Sequence, residues 1–125
     1  MYKRHETGKE GEMIAYEYLN RNFYRIICKN YRCKLGEIDI IAEEENELVF
    51  IEVKTRTGLG FGLPSDAVNR VKRSHIYNVA KYFLMQNKCE NLYCRFDVIE
   101  VYIKEKEVKI NHIKNCVFDK LYKKG

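Results

Sequence analysis

Acidic residues set inside apolar runs are the features of this sequence best able to do chemistry. GEIDIIA, Gly36 to Ala42, carries Glu37 and Asp39 among isoleucines, and LVFIEVKTR, Leu48 to Arg56, carries Glu52 and Lys54. Successive side chains of a strand point to opposite faces. Ile38 and Ile40 are therefore expected on one face, with Glu37 and Asp39 on the other. In the second run Glu52 and Lys54 share a face with Phe50, opposite Ile51 and Val53. The polar stretch EEENE between the runs predicts a hairpin. Asp39 and Glu52 then meet near the ends remote from the turn, and Lys54 joins them.

The same residues also suit an edge hairpin with a solvated polar face, where a Glu52–Lys54 pair contributes little. Three features favour chemistry. Glu12 lies on the apolar stripe of the first helix, where a lone carboxylate is costly to bury without a partner. Both acid-bearing runs are as hydrophobic as central strands. Arg25, Lys29, Arg32 and Lys34 gather just before the acids with no acid among them. Carboxylates bracketed by basic residues suit metal-dependent phosphodiester hydrolysis, the acids holding Mg²⁺ and the basic groups holding phosphates.

The elements that must position these residues follow from periodicity. Glu12, Ala15, Tyr16, Leu19 and Phe23 fall on one stripe of a helix over residues 7–22. YRIICKNYRC, Tyr24 to Cys33, reads as a strand running into a basic loop, ahead of the hairpin. The glycine-rich GLGFGLP follows without the GKS/T of a phosphate-binding P-loop. Ser65 or Asp66 can cap a helix reaching Asn87, with Val68, Val71, Ile76, Val79, Ala80 and Phe83 on its apolar side. RFDVIEVYI and VKINHI close the order as a second hairpin around KEKE, giving α-β-β-β-α-β-β. One domain over 1–125 is expected, with its core at 7–113 and a tail at 114–125.

Composition narrows the class of protein. The 125 residues are 46% hydrophobic and 33% charged with one proline, which excludes a disordered or low-complexity chain. The net charge of +5 accommodates a polyanion without requiring one. Apolar stretches are far too short to cross a membrane, and MYKRHETGKEGE has no secretory signal. Five cysteines without zinc-knuckle spacing suit reduced thiols in the cytoplasm. His5, His75 and His112 are scattered and read as bystanders. Asp97, within RFDVIEV, reads as a structural partner for Arg95 or Arg32.

The segments GKEGEMIAYEYL, NYRCKLGEIDIIA, LVFIEVKTR, FGLPSDAV and RFDVIEV resemble the bacterial YraN family over Gly8 to Val101. That family is uncharacterised, assigned to the PD-(D/E)XK nuclease superfamily and similar in layout to archaeal Holliday junction resolvases. The resemblance implies an α/β, restriction-endonuclease-like αβββαβ core, its mixed central sheet flanked by helices. It makes Asp39 the superfamily aspartate, Glu52 and Lys54 the (D/E)XK pair, and Glu12 the glutamate of the first helix. Ile38 stands where the motif's proline would be. Asp39, Glu52 and the Val53 carbonyl would then hold Mg²⁺, for which Mn²⁺ can substitute, with Glu12 completing the shell or serving a second ion. Lys54 would orient or deprotonate water and offset charge on the phosphorane. Arg32, Arg56 and Lys72 are the expected phosphate contacts, with Arg70 and Arg73 beside Lys72. The implied activity is Mg²⁺-dependent DNA hydrolysis, and junction cleavage would require two sites, hence a homodimer. A nucleic-acid-binding module with an inactive or partner-dependent site, and an interaction domain without nucleic acid, are the competing readings.

Overall fold

A five-stranded mixed sheet carries one helix on each face. The computed structural model describes residues 2–57 and 70–116, with side chains over 8–57 and 75–116. The order is α1 (Tyr2–Arg21), β1 (Arg25–Cys33), β2 (Gly36–Glu44), β3 (Glu47–Thr57), α2 (Arg70–Gln86), β4 (Tyr93–Lys104) and β5 (Glu107–Ile113). This is the order expected from the sequence. The strands lie side by side as β1-β2-β3-β4-β5, and among the described residues only β3 and β4 pair in parallel. Parallel neighbours need a crossover, and α2 lies within the one that joins them. The glycine-rich stretch, the expected cap at Ser65 or Asp66, and Val68 lie outside the described residues. So do the side chains of Arg70, Val71, Lys72 and Arg73, and residues 117–125 of the expected tail.

The apolar residues divide between the two faces. Val49, Ile51 and Val53 of β3 join Ile40, Ala42, Ile99 and Val101 beneath Ala15 and Leu19 of α1. Leu48 and Phe50 join Ile38, Ile41 and Phe96 beneath Ile76, Val79, Ala80 and Phe83 of α2. Ile38 and Ile40 therefore sit on different faces, correcting the alternation expected for GEIDIIA. The ladder between β2 and β3 ends at Ile40↔Ile51. Beyond that rung β2 is released from β3 and no longer holds the alternating register.

Helix α1 approaches β3 closely at Gly11. Gly11, Ala15 and Leu19 are buried four residues apart. A Cβ on Gly11 would collide with the Thr55 side chain. Gly11→Ala should therefore push α1 off β3 and cost about 1–3 kcal/mol, read as a lower denaturation midpoint. Gly11→Ala should cost stability even though alanine is the better helix former. Phe23 does not complete the stripe as expected. It sits past the helix end at φ 68° with its ring 91% exposed, and the neighbouring Tyr24 is buried instead. The left-handed residue turns the chain so that Tyr24 N–H reaches the Leu19 carbonyl at 3.0 Å, satisfying the helix end.

The turns are short. Glu44↔Glu47 and Lys104↔Glu107 each close a two-residue hairpin loop. Glu45 and Asn46 have φ 47° and 72°, the left-handed pair that fits a twisted hairpin.

A polar network buried on the α1 side joins α1 and the start of β1 to β4 and β5. Asp97 is 1% exposed and accepts from Arg95 Nε at 3.0 Å, from the Asn115 N–H at 2.9 Å and from Arg95 Nη2 at 3.2 Å, with His112 Nε2 at 2.7 Å. Arg95 also donates to Glu44, Glu47 and the Tyr24 hydroxyl, and His112 Nδ1 meets the Tyr18 hydroxyl at 2.9 Å. Arg95 is thus the partner of Asp97, and Arg32 is not. His112 takes no part in the candidate site but has a structural role, its ring joining α1 to β4. Asn115 and Cys116, whose N–H donates to the Phe96 carbonyl, extend the packed chain past residue 113.

Candidate active site

The site begins where β2 leaves β3. The next rung would pair Asp39 with Glu52, and Val53 would face Ile38. Instead Asp39 Oδ2 accepts the Val53 N–H at 2.8 Å. The carboxylate thus supplies an acceptor that the parted strands cannot, which fixes its orientation. Asp39 and Glu52 are both buried, at 9% and 7% exposure. Burial, and then the charge of Glu52, push the Asp39 carboxyl up to about 7, against the lowering hydrogen bond from Val53. Glu12 and Glu37 push in the same direction.

Lys54 stands on the Glu52 side of β3, its Nζ 3.8 Å from Glu52 Oε2. Its side chain keeps 31% exposure, so the ammonium is open to a ligand while the carboxylate beside it is enclosed. Ile38, Phe50, Ile76, Phe96 and Val98 line a small cavity with Glu52, and Phe50, two residues before it, packs under α2. Asp39, Glu52 and Lys54 therefore do come together.

Glu12 approaches from α1. Its carboxyl is raised first by burial and then by Glu37 and Glu52, while a hydrogen bond from Asn30 and the charge of Arg32 lower it. Sequence reasoning missed Asn30. It lies across from Asp39, between the rungs Lys29↔Ile40 and Tyr31↔Ile38, and has φ 53° inside a strand. Asparagine tolerates that left-handed conformation better than most residues, and the KNY triplet was the available signal.

The basic candidates are dispersed. Arg32 is on the outer strand with Nε 3.1 Å from Glu37, so Glu37 engages this arginine. Lys29 lies over the Tyr16 ring at 4.1 Å, and Arg25 pairs with Glu43. Arg56 lies beyond Lys54 on the same side of β3, where its Nη2 is 3.5 Å from Glu100 Oε2. Glu100, wholly buried, is a second residue missed from sequence. Its signal was a glutamate inside the apolar run VIEVYI.

The matched family agrees with the resemblance on which these expectations rested. Residues 11–101 match the uncharacterised protein family UPF0102, the family also called YraN. The chain belongs to UPF0102. A UPF0102 protein of Caldicellulosiruptor saccharolyticus is 50% identical over 93% of this chain and 99% of its own length. One from Clostridioides difficile is 49% identical over 89% of this chain and 96% of its own. Among solved structures, the crystal structure of SSO0001 is similar at 19% identity and a TM-score of 0.35, covering 90% of this chain and 52% of that one.

The oxygen donors of this UPF0102 chain fit a hard divalent cation. Asp39 and Glu52 supply two enclosed carboxylates whose charges bear on one another. Among the described residues, no three His, Cys, Asp or Glu side chains are grouped closely enough to hold an ion alone. Magnesium keeps several waters and is often bound through one or two carboxylates, so the Asp39–Glu52 pair meets that requirement. The thiols do not compete. All five cysteines are free, and burial holds the Cys94 thiol up at about 11 and raises Cys89 and Cys116 as well. No described helix is long and apolar enough to cross a membrane.

Proposed function

We propose that this UPF0102 protein is a divalent-cation-dependent endonuclease that hydrolyses phosphodiester bonds in DNA, branched intermediates included. The observation carrying this reading is the buried Asp39–Glu52 pair at the opening between β2 and β3, with Lys54 Nζ 3.8 Å from Glu52. Asp39, Glu52 and the Val53 carbonyl would hold Mg²⁺ or Mn²⁺, and Glu12 would complete the shell. Bound there, the cation supplies Lewis acidity and acidifies water.

The chain's own residues do the remainder. The Val53 N–H orients Asp39. Lys54, half in solvent, positions the attacking water and offsets charge developing on the phosphorane. Arg32, Arg56 and Lys72 contact backbone phosphates, and five free thiols suit a cytoplasmic enzyme. Two such sites in a homodimer would serve a junction.

A second reading, a nucleic-acid-binding module whose site is inactive or partner-dependent, draws on the separation of Glu12 from a closed ligand group. Labelled linear, flapped and four-way DNA with Mg²⁺ or Mn²⁺ separates the two. Metal-dependent cleavage that disappears in Glu52→Ala supports the enzyme. Cation-independent binding of all three substrates without cleavage supports the module.

A further inference from the structure

Strands β1 and β2 both turn over at the pair Asn30 and Asp39. Lys29 is paired with Ile40; its Nζ lies 4.1 Å from the centre of the Tyr16 ring on α1, and Ile40 packs beneath the same helix. The rung two residues on is Tyr31 with Ile38, and both of these pack on the α2 side. Positions two apart on a regular strand share a face, so each strand reverses at the residue between. The register runs unbroken through that pair, its shift lying elsewhere, at Ile26 and Cys28. In β1 the reversal coincides with the left-handed φ of 53° at Asn30. Two successive side chains therefore reach one helix. Lys29 meets Tyr16, and Asn30 hydrogen-bonds Glu12, one helical turn away.

We infer that Asn30 is a positioning residue: its left-handed backbone carries the side-chain amide to α1, where it holds Glu12 beside the opening between β2 and β3. This rests on the cation site of the nuclease reading and deepens it. Gly11, next to Glu12, lies against Thr55 of β3, while Asn30 belongs to β1. Glu12 is thus held from both sides of the β2 segment that carries Asp39. Glu37 and Glu52 act on the Glu12 carboxyl with like charge, and an amide donor facing it offsets part of that repulsion. The opposing role for Asn30 is to permit the strand reversal and nothing more. Glycine separates the two, because it takes the left-handed conformation without strain and has no amide to donate.

The test is a titration of the full chain with Mn²⁺ at fixed ionic strength, the free ion read by its paramagnetic resonance, beside melting curves without cation. Asn30 is exposed on the edge strand, so Asn30→Gly removes no packing and should melt near the wild type. It should nevertheless bind Mn²⁺ about tenfold more weakly, as loss of a group behind a metal ligand does. Glu12→Ala should weaken binding as well. Adding Asn30→Gly to Glu12→Ala should cost nothing more, because both changes act through one carboxylate. Wild-type affinity in Asn30→Gly, with or without a lower melting temperature, would overturn the inference and leave the cation site intact. So would a loss in the double variant equal to the sum of the two. Failure of the wild type to bind Mn²⁺ would remove the cation site and the nuclease reading, and this inference with them.

Discussion

Lys54→Ala should lower the rate of DNA cleavage by about 10²–10⁴-fold, the range for losing a positioned acid–base group. Its ammonium faces Glu52 at 3.8 Å from a half-exposed position, so little packing is lost with it. The fold and its response to divalent cation should therefore persist. That combination separates a role in the reaction from one in holding the ion. Single-turnover cleavage and melting curves on the same preparation measure both. A rate loss matched by loss of the cation response would instead place Lys54 among the groups that organise the ion.

Asp97→Asn should cause the largest loss of stability, about 3 kcal/mol or more at neutral pH, because it leaves part of a buried ionic network uncompensated. Burial alone would raise the Asp97 carboxyl, but hydrogen bonds from His112, Arg95 and the Asn115 N–H outweigh it and hold the group below the usual range. A carboxyl lowered on folding contributes stability that is complete above its unfolded value and is lost as the pH falls through its folded value. The deficit of Asp97→Asn should accordingly be largest at neutral pH and shrink in acid. Urea denaturation across that range reads it directly, and a deficit constant down to acid pH would deny Asp97 this role.

Much of this architecture was legible because each element carries its own periodic signal. Ala15 and Leu19 read as a helical stripe, and Ile76, Val79, Ala80 and Phe83 as another, since burial of one face fixes their spacing. The apolar runs around Asp39 and Glu52 read as strands for the same reason, and EEENE marked their turn. What escaped depends on contacts between elements. Ile38 and Ile40 part company because β2 separates from β3, and nothing in GEIDIIA states where the ladder ends. His112 looks isolated in VKINHI, because its partners Asp97 and Tyr18 come from distant parts of the chain. Glu100 resembled any strand glutamate until Arg56, Tyr102 and Asn111 closed around it. Phe23 was misplaced by a single left-handed residue, which a helical stripe cannot foresee.

The central claim is that Asp39 and Glu52 form one cation site, and thermal melting of wild type and Asp39→Asn with and without Mg²⁺, at fixed ionic strength, tests it without knowledge of the substrate. Asparagine keeps an acceptor for the Val53 N–H while removing one of two buried like charges. The Asp39 carboxyl is raised to about 7, so the native state retains a proton that the unfolded chain has released, and wild-type stability declines as the pH rises toward that value. Above it, cation-free Asp39→Asn should melt at the wild-type temperature or higher. With Mg²⁺ at about ten times its Kd, wild type should gain about 1.4 kcal/mol, a rise of several degrees, by selective binding to the folded state. Asp39→Asn should lose most of that rise. An equal rise in both proteins would mean that the carboxylates do not share an ion, and the nuclease account would fail with them.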